Sequence, residues 1–155
     1  MLPIIILLPL VLGTTLVSWL KQFSRGVTAL GAIAVSLSSF LLLLSQAPAV
    51  FNGTVITQTW SWLPQLGIDF SFRLDALGML FALLISGIGT LIYIYAYYYL
   101  SPKNSLSKLY FLLMLFMAAM LGISLSNNLL ILLIFWELTS ISSFLLVGYW
   151  SNYEA

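Results

Sequence analysis

The sequence predicts an all-α membrane protein of five transmembrane helices with a small β-hairpin on its outer side, and three observations predict it. Charged residues make up 6% of the 155 residues and hydrophobic ones 62%, against about 25% and about 45–50% in soluble domains. Five stretches reach the roughly 20 mostly apolar residues that a helix needs to cross a hydrocarbon core of about 30 Å. These runs are unbroken rather than alternating, which argues against a transmembrane β-barrel. Five basic and four acidic side chains are too few to keep so apolar a chain in solution. The same inventory excludes much chemistry. The chain has no cysteine and no histidine, so disulfides, and zinc or haem sites built on those residues, are excluded. Serine-histidine and cysteine-histidine catalysis is excluded with them. A net charge of +1 offers no footprint for nucleic acid.

The first stretch covers residues 2–20. It has no basic segment before it, is long for a signal-peptide core and shows no small-residue cleavage site, so a retained helix is expected. Pro3 is harmless in a first turn, whereas Pro9 should kink the helix. The second stretch covers residues 27–46. After it comes a long loop in which apolar and polar residues alternate strictly from Ile68 to Asp75. Thr57, Thr59 and Ser61 alternate with Gln58, Trp60 and Trp62 just before, and Leu63-Pro64-Gln65-Leu66-Gly67 supplies turn chemistry between them. The expectation is an amphipathic hairpin over residues 55–75 whose apolar side covers helix ends. Asn52-Gly53-Thr54 fits a glycosylation sequon and equally an Asn-Gly turn. The remaining stretches cover residues 76–100, 109–126 and 129–150. Small residues predict close helix packing: Gly31, Ala32 and Ala34 in the second, Ser86, Gly87, Gly89 and Thr90 in the third, and Ala118, Gly122 and Ser126, each four apart, in the fourth.

Loop charges set the direction. Lys21 and Arg25 lie in the first loop and Lys103 and Lys108 in the third, on one side of an alternating five-helix array, with Arg73 alone on the other. The positive-inside rule makes the first side cytoplasmic. The N-terminus is then outside and the C-terminus cytoplasmic. Tyr93, Tyr95, Tyr97, Tyr98 and Tyr99 near the inner end of the third helix, with Tyr149 and Trp150 in the fifth, read as an interfacial aromatic belt.

One charge falls inside a span. Glu137 is nine residues into the fifth helix, about 12 Å from its outer end. An acid at that depth costs on the order of 2.5–3.5 kcal/mol; such residues face a bundle interior or wet cavity and usually serve ions or protons. An acid buried away from cations is held neutral, and one beside Lys or Arg stays charged. At 100° per residue, Leu133, Glu137, Ser140 and Phe144 share one face. Ser140 is placed to support the acid by a hydrogen bond. Thr139, Ser142 and Ser143 point elsewhere, and hydroxyls in membrane helices commonly bond the carbonyl four residues back. The bland alternative is a protonated Glu137 that merely bonds a neighbouring helix.

The run Phe135-Trp136-Glu137-Leu138-Thr139-Ser140-Ile141-Ser142-Ser143-Phe144 resembles the fifth helix of the A-type subunit of the multi-subunit Mrp-type Na+/H+ antiporters. Phe70-Ser71-Phe72-Arg73-Leu74-Asp75-Ala76-Leu77, Ile85-Ser86-Gly87-Ile88-Gly89-Thr90 and Leu115-Phe116-Met117-Ala118-Ala119-Met120-Leu121-Gly122 strengthen the resemblance. It is good over residues 55–155, and rests mainly on hydropathy in the first two helices. A looser similarity extends to the antiporter-like membrane subunits of respiratory NADH dehydrogenase, which also carry Trp-Glu in this helix.

The resemblance implies that Glu137 belongs to a proton-translocation path, paired with a lysine on a later helix. It implies an ion-transporter subunit rather than an enzyme, with no cofactor and no metal centre. Its partners would be H+, Na+ and the other membrane subunits of a hetero-oligomeric complex in a bacterial inner membrane. Because family members are much longer, residues 1–155 read as a single membrane domain, the N-terminal fragment of a longer subunit. Two alternatives remain open: a proton-pumping subunit of an NADH-quinone oxidoreductase or related complex, and a structural membrane piece with no translocation role. A small self-contained multidrug antiporter is disfavoured by five helices with opposed termini.

Overall fold

The computed structural model describes residues 8–20, 24–63, 68–100 and 106–151, together with residues 5 and 22. In chain order these form a π-helical turn Leu8–Gly13, then α1 (Thr14–Leu20), α2 (Arg25–Phe51), β1 (Ile56–Leu63), β2 (Ile68–Leu74), α3 (Ala76–Tyr99), α4 (Leu106–Leu125) and α5 (Leu129–Ser151). Helices α2 to α5 are long and apolar enough to cross a membrane, which makes this a multi-pass membrane protein.

The first expected span takes a different form. Among the described residues its apolar helix is shorter than the other four, Pro9–Trp19, and it opens with the π-helical turn rather than a straight α-helix. The wide turn contains Pro9, the residue expected to kink the chain, and a π-turn is one of the recognised causes of a kink. Thr14 and Thr15 follow it and donate their hydroxyls to the carbonyls of Leu10 and Val11, back-bonding that bends helices further. Pro3 lies outside the described residues.

α2 runs past its expected end, through Pro48, to Phe51. Its stop is a Schellman motif: Thr54 N–H donates to the Ala49 carbonyl at 3.1 Å and Gly53 N–H to Val50 at 3.0 Å. Gly53 sits at φ 92°, a backbone state that glycine tolerates best. Asn52-Gly53 thus forms a turn, as its dipeptide chemistry suggests. At the other end, Ser24 caps α2 by accepting from Val27 N–H.

The hairpin forms as expected, with Trp60 opposite Phe70, Gln58 opposite Phe72 and Ile56 opposite Leu74. Its connecting residues 64–67 lie outside the described residues. Phe72 and Leu74 are buried, and β2 lies against α3 and α4, so the apolar side does cover helix ends. The opposite side is fastened too. Ser71 accepts from Asn127 at both its carbonyl (2.9 Å) and its hydroxyl (3.1 Å), and Asn128 donates to the Asp69 carbonyl at 3.2 Å. These bonds tie the hairpin to the short turn between α4 and α5.

α4 is the central helix, packing against α1, α2, α3 and α5. Its buried residues lie all round its axis, from Leu106 and Tyr110 to Gly122 and Leu125, the pattern of an enclosed helix. Small side chains permit its close contacts. A Cβ on Gly13 would meet the Met114 sulfur at 2.8 Å, and one on Gly89 would meet the Met117 sulfur at 3.2 Å. A buried hydroxyl seam joins α2 to α3: Ser36 and Thr90 share a hydrogen bond of 2.7 Å, and Thr90 also donates to the Ser86 carbonyl at 2.8 Å. In the aromatic belt two residues are misplaced: Tyr149 of α5 is buried in the core, and so is one tyrosine of α3. Tyr95, Tyr98 and Tyr99 are exposed, but Tyr93 is buried. It meets Tyr110 edge to face at 5.4 Å, while the Tyr110 hydroxyl donates to the Tyr93 carbonyl at 2.6 Å. Helical spacing puts Tyr93 on the face of Ser86 and Thr90, which points into the bundle.

Candidate functional site: the glutamate of the fifth helix

α5 starts at the Asn127-Asn128 turn. Asn128 caps it, its side-chain oxygen accepting from Leu130 N–H at 2.9 Å. From there two stripes run down the helix. Ile131, Phe135, Ser142 and Tyr149 are buried, and Leu138 is half-buried. With the half-buried Leu146 these residues recur every three or four positions, so they form one seam, and that seam lies against α4. Leu133, Glu137, Ser140, Phe144 and Val147 recur with the same spacing and are exposed. The face expected to carry the acid is therefore a single face, but the described residues do not enclose it. Glu137 stands on the side of α5 turned away from α4, flanked by Leu133 at 53% exposure and Phe144 at 76%. Among the described residues no cation pairs with it: the ion pair here is Arg73–Asp75, at 3.4 Å in the hairpin region.

Ser140 lies one turn further along the same stripe. Its hydroxyl donates to the Trp136 carbonyl at 3.3 Å, so its proton serves the helix backbone. The neighbouring hydroxyls behave likewise: Thr139 donates to Trp136 at 2.6 Å, Ser142 to Leu138 at 2.7 Å and Ser143 to Ser140 at 2.9 Å. Such bonds satisfy a polar side chain at membrane depth without a partner helix.

The α4–α5 contact has a knob-and-hole form. The ring of Phe135 lies over Gly122, where a Cβ would come within 2.3 Å of the ring. On its other side Phe135 meets Phe72 of the hairpin, with ring centroids 6.4 Å apart. Gly122 is legible in sequence as a small residue, but its ring partner is not, because periodicity does not say which neighbour fills a hole. The two asparagines carry a weak sequence signal as turn residues; their bonds to β2 are a tertiary fact.

Known proteins resemble this chain in sequence and in fold. All 155 residues align at 40% identity with the A1 subunit of a Na+/H+ antiporter of Staphylococcus aureus, covering 19% of that protein. The same protein in S. aureus strain Newman gives the same identity and coverage. Along its whole length, the chain is similar to this component of the antiporter. It spans about a fifth of the length of these curated relatives. Residues 60–111 match the family model for the N-terminus of chain 5 of NADH-ubiquinone oxidoreductase (complex I). A structure of the Mrp complex from Dietzia sp. DQ12-45-1b superposes with a TM-score of 0.76 and 25% identity, covering 92% of this chain and 15% of that one. The membrane-bound sulfane sulfur reductase, an archaeal respiratory membrane complex, superposes with a TM-score of 0.77 and 24% identity, covering 92% and 22%; this second likeness concerns the fold. The stretch aligned with the staphylococcal antiporter component includes the hairpin, α4 and the Glu137 helix.

Proposed function

We propose that these residues form one part, the N-terminal one, of a cation/proton antiporter subunit that exchanges Na+ for H+, with Glu137 in the proton path and Ser140 supporting it. The observation that carries this reading is the placement of Glu137: an acid in mid-helix on a stripe that the described residues leave uncovered. An acid at that depth is costly to retain. It is also open to a partner contributed from beyond the described residues. In this reading Glu137 carries the translocated proton, and a membrane partner from beyond the described residues governs its release. The partners are H+, Na+ and the other membrane subunits. The N-terminus and the hairpin face outside, and the Arg25–Lys108 end of the bundle faces the cytoplasm. Transport, not catalysis of a covalent reaction, is the role.

Glu137→Gln in the complete antiporter complex tests this. It keeps the shape and removes the titratable group, so assembly persists and Na+/H+ exchange in vesicles is lost. Normal exchange by the assembled variant would overturn the assignment. The match of residues 60–111 to a complex I chain supports a second reading, a proton-pumping subunit driven by redox chemistry elsewhere. Co-purification with flavin and iron–sulfur subunits, in place of Na+-dependent exchange, would favour it.

A further inference from the structure

α5 packs against α4 along one seam, and the described residues leave its opposite stripe uncovered. Among the described residues its rotation about its own axis is therefore set from one side. Phe135 and Glu137 are two residues apart, about 200° round the helix. When the Phe135 ring sits in the Gly122 hole, Glu137 must face away from α4. Three further bonds act at the start of the helix, where Asn127 and Asn128 hold Ser71 and Asp69 of β2. Phe72 of the same strand closes against the Phe135 ring. Hairpin, glycine hole and ring together form one clamp near the acid.

We infer that Gly122 and Phe135, backed by Phe72, are positioning residues that set the rotation of α5 and thereby the direction in which Glu137 presents its carboxyl group. The inference rests on the proposed role of Glu137 and deepens it. A methyl group on Gly122 would lie 2.3 Å from the ring, far inside contact distance, so α5 must turn or move outward. The ring is attached to the helix that bears the acid, so the displacement reaches Glu137 directly. Of the elements packed on α5, α4 bears Lys108 and Tyr110 near its start. α4 and α5 are joined by the short 126–128 turn, so both groups lie beside the far end of α5, more than about 10 Å along the axis from Glu137. The hairpin bears Asp69 and Arg73, at the outer end. Turning Glu137 thus changes which surroundings it meets, not merely how tightly the helix packs.

The test uses the complete antiporter complex with Gly122→Ala, Phe135→Leu and the two combined, reading assembly, Na+/H+ exchange and its pH profile. Gly122→Ala is expected to assemble, to lose exchange by up to about a hundredfold, the cost of an ångström-scale misplacement, and to shift the pH midpoint. Phe135→Leu in the same chain makes room for the methyl group and is expected to restore both. Should Gly122→Ala fail to assemble, Phe135→Leu alone adds no bulk and is expected to move the midpoint by loosening the clamp. An unchanged midpoint in that variant, or wild-type exchange with an unchanged profile in Gly122→Ala, would overturn the inference. If Glu137→Gln is inactive while both positioning variants behave as wild type, only this inference falls. If Glu137→Gln exchanges normally, the proposed function falls with it.

Discussion

Gly122 and Ser36 show two ways in which a single residue holds this bundle together. Gly122 acts by absence, since any side chain there collides with Phe135. Ser36 acts by a hydrogen bond to Thr90 inside the α2–α3 contact. Interhelical bonds of this kind average about 0.6 kcal/mol in membranes. Ser36→Ala should therefore lower stability by about that much, as read by unfolding in mixed micelles. Ser126 makes the opposite case. Its hydroxyl is buried and has no hydrogen-bond partner among the described residues, and a buried unsatisfied group costs on the order of 1–3 kcal/mol. Ser126→Ala is expected to leave stability unchanged or raise it in the same assay; a clear loss would mean the hydroxyl has a partner after all. Glu137 was legible in sequence as the one acid within a span, and so was its stripe. Its exposure was not, because periodicity shows which residues share a face but not what covers that face.

At the scale of elements, capping decides where helices begin and end. Asp75 caps α3 by accepting from Gly78 N–H at 2.8 Å, and Asp75→Ala should cost about 1 kcal/mol. Little of that loss belongs to its ion pair with Arg73, because both partners are well exposed and such pairs contribute little. Gly53→Ala, at φ 92°, should cost about 1–2 kcal/mol through backbone strain and fray the end of α2. The hairpin was readable from its period-2 pattern, and its register agrees with that pattern. Its attachment to the α4–α5 turn was not readable, since it joins residues more than fifty positions apart. Asn127→Ala removes the side-chain bond to Ser71 but keeps the backbone one. It should raise protease sensitivity of the hairpin without unfolding the helices.

For the whole molecule, the charge distribution carries the proposed orientation. The Arg25 guanidinium donates to the Leu100 carbonyl at 3.1 Å, and Ser107 donates to the Val17 carbonyl at 3.2 Å. The ends of α1 and α3 and the starts of α2 and α4 therefore gather at one pole, with the hairpin at the other. The chain has no native cysteine, which suits it to single-cysteine labelling. With an impermeant reagent on intact cells, Thr54→Cys beside the hairpin should react and Lys108→Cys should react only after lysis. The reverse pattern would invert the proposed topology.

Apolar length, the sparse charges and the alternating stretch of residues 68–75 determined the membrane class, four of the five expected spans and the hairpin, because desolvation and backbone period act locally along the chain. They also singled out Glu137, since one charge among apolar neighbours is conspicuous without any fold. Only the tertiary structure decided that Tyr93 and Tyr149 are core rather than belt, that the N-terminal helix opens in a π-turn, and that Phe135 fills Gly122. The same is true of the uncovered stripe around Glu137. Each of these depends on which surface meets which across the bundle, and helix packing sets that through shape, which residue order along one helix does not encode.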